Sequence, residues 1–127
     1  MTEFENLIIN DYPELIEVID IIDESFLEYY DKHESLESNL YYYARNIIKG
    51  RWSEAEKYIM KNPGWACWYA LDITKARWPE AEPIIIKNSK YAYIYAYDVI
   101  KGRWSEAEPY IKQDKRWWNL YCERFKL

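Results

Sequence analysis

Apolar residues recur along this chain with the spacing of an α-helix, and the same stretch of pattern appears three times. In residues 38–63, apolar side chains fall at offsets 0, 3, 4 and 7, which places them on one stripe of a helix. The stripe returns in residues 64–89 and 90–115. Its members are Leu40, Tyr43, Ala44 and Ile47, then Ala66, Tyr69, Ala70 and Ile73, then Ala92, Tyr95, Ala96 and Val99. The alanine column permits close approach of neighbouring helices. The pattern predicts one core-facing helix in each unit.

A hexapeptide of the form Arg-Trp-Ser/Pro-Glu-Ala-Glu follows each of these helices. It occupies Arg51–Glu56, Arg77–Glu82 and Arg103–Glu108, which gives a repeat period of 26 residues. The preceding Lys-Gly or Lys-Ala pair predicts a helix stop, with glycine supplying the left-handed conformation. Ser53, Pro79 and Ser105 suit the start of a second, shorter helix. Because Pro83 and Pro109 lie further in, this helix begins either at the Glu-Ala-Glu segment or at the later proline.

A fixed period in this range is the signature of tandem-repeat proteins, in which each unit buries its apolar face against its neighbours. The sequence therefore predicts an all-α fold of tandem short helical hairpins, an α-solenoid-like array within one compact domain. The predicted units are residues 38–63, 64–89, 90–115 and a partial fourth, 116–127. Helices of about 8–12 residues are marginal alone, so the stability has to come from stacking. We expect Trp52, Trp78 and Trp104 to wedge between consecutive hairpins.

The N-terminal segment, residues 1–37, differs from the array in charge. It holds twelve Asp or Glu and one Lys, a net charge of −11, whereas residues 38–127 carry +6. Apolar residues at helical spacing predict one long amphipathic helix over Tyr12–Asp31. A repeat array needs such a helix to cover its open end. The pattern breaks around Asp31–Glu37, which we take as the boundary between this acidic cap and the array.

The acidic segment has three possible roles. Its carboxylates are either a solvated outer face of the cap or a line of negative charge that resembles a nucleic-acid backbone and fits a basic groove of another protein. The third possibility is docking of the acidic helix against the chain's own basic repeats. For contact with a partner we select Glu17, Asp20, Glu24 and Glu28.

The array offers a second candidate surface, a basic ladder in which each step adjoins a tryptophan. Its members are Lys49, Arg51, Lys75, Arg77, Lys101 and Arg103. Cations interleaved with aromatic rings are typical of proteins that bind single-stranded nucleic acid or nucleotides. Alternatively, each Arg pairs with a glutamate of the Glu-Ala-Glu segment and each Trp is core, which the repetition of the Trp column favours. Aromatic residues off the core stripe, such as Trp65 and Trp117, are then the better anchors for a protein partner.

Catalysis and metal binding have little support in the sequence. The chain has one histidine, His33, two cysteines and three glycines, too few for a zinc cluster or a Gly-rich phosphate loop. We therefore expect no enzyme activity and no cofactor. Cys67 and Cys122 occupy helix columns and are expected to be reduced core thiols of a cytosolic protein. The absence of long apolar runs and the acidic N-terminus argue against a membrane span or a signal peptide.

The repeated Tyr-Ala…Ile-Lys-Gly-Arg-Trp-x-Glu-Ala-Glu pattern, from Leu40 to about Asp114, resembles short tandem helical repeats in uncharacterised proteins of tailed bacteriophages and giant viruses. The resemblance implies a viral origin and a cytoplasmic setting in an infected bacterial host. It implies no activity, and the acidic segment lies outside it. By analogy with small phage proteins that block host nucleases, we expect an inhibitor that binds a host nucleic-acid-handling defence protein, with anti-CRISPR activity a candidate. A nucleotide or single-stranded nucleic-acid binder is the alternative, and a self-assembling structural role is a third option.

Overall fold

The computed structural model describes residues 2–127. All regular secondary structure in that range is helical, and it contains no β-strand. The α-helices are α1 (Glu3–Asp11), α2 (Glu24–Tyr29), α3 (Leu36–Tyr43), α4 (Ser53–Ile59), α5 (Pro63–Tyr69), α6 (Glu82–Ile85), α7 (Ser89–Ile94), α8 (Glu108–Ile111) and α9 (Lys115–Phe125). Two segments form 3₁₀ turns, Pro13–Val18 and Ser105–Ala107. The all-α class predicted from the apolar spacing is confirmed.

The acidic segment is broken into short pieces, so the prediction of one long helix over Tyr12–Asp31 is wrong. α1 ends before Tyr12, and Pro13 then opens a 3₁₀ turn, because proline has no N–H with which to continue an α-helix. Asp23 begins α2 as its N-cap: its carboxylate accepts a hydrogen bond from the Phe26 backbone N–H at 3.0 Å. These two local signals outweigh the amphipathic spacing.

The first helix of each repeat unit ends in a π-helical turn. These turns span Ala44–Ile48, Ala70–Thr74 and Tyr95–Ile100. The lysine after each turn is left-handed, with φ of 60° at Lys49, 53° at Lys75 and 61° at Lys101. The prediction that glycine adopts this conformation is therefore wrong, since no glycine of the described chain has a positive φ. Reversal at the lysine lets two successive N–H groups, those of Lys49 and Gly50, return to the Ala44 carbonyl at 2.7 and 3.3 Å.

The start of the second helix, left open by the sequence, depends on the proline. Without one, α4 begins at Ser53 directly after the tryptophan. In the next two units, α6 and α8 begin one residue before Pro83 and Pro109. Proline is tolerated there because N–H groups in the first turn of a helix have no partner within the helix.

The repeated columns form the core of the array, and buried residues of the N-terminal segment, among them Leu15 and Phe26, join the same core. The alanines of the first helices and the isoleucines of the second are fully buried: Ala44, Ala70 and Ala96, then Ile59, Ile85 and Ile111. The Trp column is buried as well, with 9% of Trp52, 1% of Trp78 and 3% of Trp104 exposed. The Trp78 ring lies 4.8 Å from that of Tyr69, between centroids. Cys67 is buried and Cys122 half-buried, both as free thiols.

Candidate protein-binding surface

Each arginine of the predicted basic ladder is paired inside the chain. The Nε and Nη2 atoms of Arg51 each lie 2.8 Å from an oxygen of Glu56. The same two-bond pairing joins Arg77 to Glu82 and Arg103 to Glu108, with all distances 2.9 Å. A planar guanidinium that makes two parallel bonds to one carboxylate is fixed in orientation. These arginines are therefore bound to carboxylates of the chain itself and are less available to a ligand.

The same carboxylate also binds a tyrosine of the following unit. The Tyr69 hydroxyl donates to Glu56 Oε2 at 2.6 Å and accepts from the Trp52 backbone N–H at 2.9 Å. Equivalent bonds connect Tyr95 with Glu82 and Trp78, and Tyr121 with Glu108 and Trp104. We call this Arg–Glu–Tyr–Trp arrangement the inter-repeat network. It appears three times and ties each unit to the next.

The network shifts the pKa values of its members. Burial alone would raise the pKa of Glu82, but hydrogen bonds from Arg77 and Tyr95 outweigh burial and lower it below 4.5. The pKa of Glu56 is lowered in the same way, against burial, by Arg51 and Tyr69. Burial and the bond to Glu108 raise the pKa of Tyr121 to about 12. These groups are therefore in fixed charge states at neutral pH, as structural groups require.

The buried tryptophans and paired arginines bear directly on the basic ladder. Bases stack on exposed ring faces, and the three Trp rings of the ladder are at most 9% exposed. With Arg51, Arg77 and Arg103 held by carboxylates, the ladder retains only Lys49, Lys75 and Lys101 as exposed cations without an ion pair among residues 2–127. These contacts favour the alternative in which each Arg pairs with a glutamate and each Trp belongs to the core.

The four acidic residues selected from the sequence are all exposed, but they do not form one line on one helix. Glu24 and Glu28 lie one turn apart on α2. Glu17 lies in the 3₁₀ turn and Asp20 in the turn that follows. Glu17 pairs with Lys61 at 3.3 Å, and its backbone carbonyl accepts from the Tyr58 hydroxyl at 3.1 Å. One of the four thus contacts the chain's own first repeat.

The N-terminal segment packs on the first repeat through aromatic rings. The Phe26 ring lies 5.3 Å from Tyr43 and 6.1 Å from Trp52, between centroids. Tyr29 lies 5.8 Å from Tyr43, and its hydroxyl accepts a hydrogen bond from Asn46 at 2.8 Å. These contacts fix the position of α2, and with it the carboxylates that α2 carries, relative to α3.

The two predicted aromatic anchors are half-buried rather than fully exposed. Trp65 packs against the rings of Tyr41 and Tyr42, with centroids 5.2 and 5.7 Å away. Trp117 lies 5.9 Å from Tyr93, and the Arg116 guanidinium sits over it at 5.3 Å. Neighbouring rings cover part of each indole. The sequence positions of Trp65 and Trp117, off the core stripe, did not predict this partial burial.

A groove of about 300 Å³ opens where the N-terminal segment meets the first repeat. We call it the junction groove; it is lined by Tyr29, Asp31, Glu34, Ser38, Asn39, Tyr42 and Trp65. Its wall includes two rings in an edge-to-face arrangement, those of Tyr42 and Trp65, with an interplanar angle of 69°. The groove brings one predicted anchor, Trp65, together with exposed carboxylates that the sequence analysis assigned only to the boundary.

A buried asparagine holds the acidic loop of this groove in place. The Asn39 side chain, 4% exposed, donates to the carbonyls of Asp31 and Ser35, both at 2.9 Å. It also accepts from the Asp31 backbone N–H at 2.8 Å. The sequence holds one signal for this arrangement: a polar residue, Asn39, lies among the buried positions of α3, eight residues after Asp31. The loop therefore presents Asp31 and Glu34 from a fixed backbone.

The chemistry of the junction groove suits a cation. Carboxylates attract an ammonium or guanidinium group, and the faces of Trp and Tyr rings bind the same group through their quadrupoles.

Within residues 2–127, no cluster of His, Cys, Asp or Glu is arranged to hold a metal ion. None of the helices in that range combines the length and apolar character needed to span a bilayer.

No protein-family model, curated protein or solved structure matches this chain. The interpretation of the surface therefore depends on its own residues and contacts.

Proposed function

We propose that this protein is a non-enzymatic protein–protein binding module whose partner presents basic side chains. In this proposal, residues 38–127 form an α-solenoid-like array and residues 1–37 form its acidic cap. The observation that carries it is the junction groove, where Asp31 and Glu34 lie beside Tyr42 and Trp65. An arginine or lysine of the partner enters the groove, and exposed carboxylates of the cap contact the basic surface around it.

The energetics favour an extended interface over a single pocket. A cation over an exposed ring contributes roughly 0.5–1 kcal/mol, and an exposed ion pair about 0.2–1 kcal/mol. Micromolar affinity needs about 8 kcal/mol, so the groove alone is insufficient. Additional contacts come from the exposed carboxylates of Asp20, Glu24 and Glu28, which make no ion pair within the described chain. Opposite charge on the partner also speeds association.

The specific version that we favour is a phage-encoded inhibitor acting in the cytoplasm of an infected bacterium. Its target would be a host nucleic-acid-handling defence protein, because such proteins carry basic grooves that an acidic surface can occupy. The resemblance of the repeats to those of phage proteins supports this version. The nucleic-acid alternative is weakened by the burial of the ladder's Trp rings, because bases cannot stack on those three rings.

The test compares variants as bait in a pull-down from nuclease-treated bacterial lysate. In the groove variant, Asp31→Asn and Glu34→Gln remove two charges while retaining side-chain size; asparagine can still accept from the His33 N–H, as Asp31 does at 2.9 Å. The control variant, Glu54→Gln and Glu106→Gln, removes two exposed charges elsewhere.

We expect the parent and the control to retain a discrete protein that the groove variant loses. A captured protein that binds the groove variant as well as the parent would refute the proposed site. Recovery of nucleic acid from untreated lysate, without a discrete protein, would instead favour the nucleic-acid alternative.

A further inference from the structure

Four lysines of the array share an unusual backbone conformation, and three of them recur at the 26-residue period. Lys49, Lys75 and Lys101 are left-handed, with φ between 53° and 61°, and all three are exposed. A residue with a side chain is strained there, and glycine is the residue that helix ends normally place in this conformation. A glycine follows directly at Gly50 and Gly102, yet it does not take the left-handed position. Lys126, after α9, is left-handed as well (φ 59°) but lines neither groove, so the strain alone does not assign a role; the position of the other three lysines in the grooves does.

These lysines line two equivalent grooves between consecutive units. One groove, of about 280 Å³, lies between Lys49 and Lys75, and the other, of about 330 Å³, between Lys75 and Lys101. Each contains one carboxylate, Asp72 or Asp98, and an aliphatic neighbour, Ile73 or Val99. Since Lys75 contributes to both grooves, the three lysines form one continuous row, which we call the lysine row.

Both grooves carry a net positive charge. Each has two lysines against a single aspartate, and the first also includes Arg45. The Asp72 carboxylate accepts a hydrogen bond from the Tyr41 hydroxyl, which reduces its availability to a ligand. Neither groove is lined by an aromatic ring, so a nucleic acid could meet its phosphates here but not stack its bases.

We propose that the lysine row binds an acidic peptide segment of a partner protein in an extended conformation. The repeat geometry favours one spacing of its carboxylates. The first helices of consecutive units pack against each other, and packed helices lie about 8–10 Å apart. A polyproline II segment advances roughly 9 Å in three residues and returns to the same side. A peptide with an acidic residue at every third position therefore matches the row.

This surface differs from the junction groove in place and in sign. The junction groove is acidic and takes basic side chains, whereas the lysine row is basic and takes acidic ones. The two assignments can fail independently, because no residue of the lysine row lines the junction groove.

The conformation of the lysines provides a variant that separates binding from folding. In the triple variant Lys49→Gly, Lys75→Gly and Lys101→Gly, glycine accepts the left-handed backbone without strain, so we expect its thermal midpoint to equal or exceed that of the parent. The control, Lys57→Ala, Lys87→Ala and Lys115→Ala, removes three exposed lysines that line neither groove.

Binding is measured by fluorescence anisotropy with the full chain. The probes are a labelled peptide of Glu-Pro-Pro repeats, a peptide of the same composition with its glutamates grouped at one end, and an oligothymidylate of equal charge. We expect tightest binding of the Glu-Pro-Pro peptide, a loss on the order of tenfold in the glycine variant, and near-parental binding in the control.

Several outcomes would overturn the proposal. They are failure of the parent to bind the Glu-Pro-Pro peptide, equal losses in the two triple variants, and tighter binding of the oligothymidylate. Self-association of the parent that the glycine variant abolishes would identify a second copy of the chain as the occupant, and would equally reject the partner peptide.

Discussion

The inter-repeat network predicts that one hydroxyl group contributes strongly to stability. Tyr95 is fully buried, and its hydroxyl donates to Glu82 at 2.6 Å and accepts from the Trp78 N–H at 2.7 Å. Tyr95→Phe removes only that oxygen, so the ring packing is retained and no large cavity forms. It leaves a buried N–H without a partner, which costs about 1–3 kcal/mol, and it removes a charge-assisted bond as well. We expect a total loss of about 2–4 kcal/mol.

Urea denaturation followed by Trp fluorescence measures this loss as a fall in the midpoint concentration at constant slope. In a chain of this length the melting temperature should fall by roughly 10 °C. Tyr110→Phe is the matched control, because Tyr110 is 37% exposed and its hydroxyl can be hydrated. The control should change stability by less than about 0.5 kcal/mol. If Tyr95→Phe were no more costly than the control, the network would not stabilise the contact between units.

Two further predictions concern the same core. Trp78 lies in the middle unit and is 1% exposed, so Trp78→Ala should lower the free energy of unfolding by about 3–5 kcal/mol. Trp117→Ala, at a half-buried site, should lower it less, and the reverse order in thermal melts would contradict the stacking of the units. Because the pKa of Glu82 is lowered on folding, the unfolded chain binds the proton more readily, so the contribution of Glu82 is complete above pH 4.5 and is lost as the pH falls through the lowered value. Urea midpoints between about pH 6 and pH 3 should therefore fall less steeply for Glu82→Gln than for the parent, and equal slopes would reject the assignment.

The apolar spacing was sufficient to predict the helical class and most of the buried columns. The last position of the stripe is wrong: Ile47 is 48% exposed, and Ile73 and Val99 are only half-buried, because all three lie in π-helical turns, which depart from the 3.6-residue period. Tyr69 and Ala70 are fully buried as the stripe requires, because one face of each short helix has to pack against its neighbours.

The inter-repeat network also has a signal in the sequence. Arg51, Glu56 and Tyr69 each repeat at the 26-residue period, and polar columns that repeat with the core indicate a shared structural partner. The charges suggest the pairing of Arg with Glu, whereas the tyrosine has no charge to point to its part in the network.

The remaining features depend on contacts that local patterns do not encode. In the N-terminal segment, Pro13 and Asp23 end and begin helices within a stretch whose apolar spacing is continuous, so two local rules compete and capping prevails. The junction groove joins Glu34 to Trp65, which are distant in sequence and meet only after the segment docks on the first repeat. Lys49, Lys75 and Lys101 each end a π-helical turn, which the apolar spacing does not distinguish from ordinary helix.

The lysine and the arginine of the repeated basic motif have different roles, although they lie two residues apart. Arg77 makes two bonds to Glu82 and lies within a network that connects two units, so its removal leaves a partly buried carboxylate without its counter-charge. Lys75 is exposed, has no ion pair within residues 2–127, and lines both basic grooves. Binding lost on Arg→Ala would therefore reflect the folded state as much as the surface. Of these two residues, the lysine is the one whose substitution by glycine relieves backbone strain, so it can change recognition while the packing stays intact.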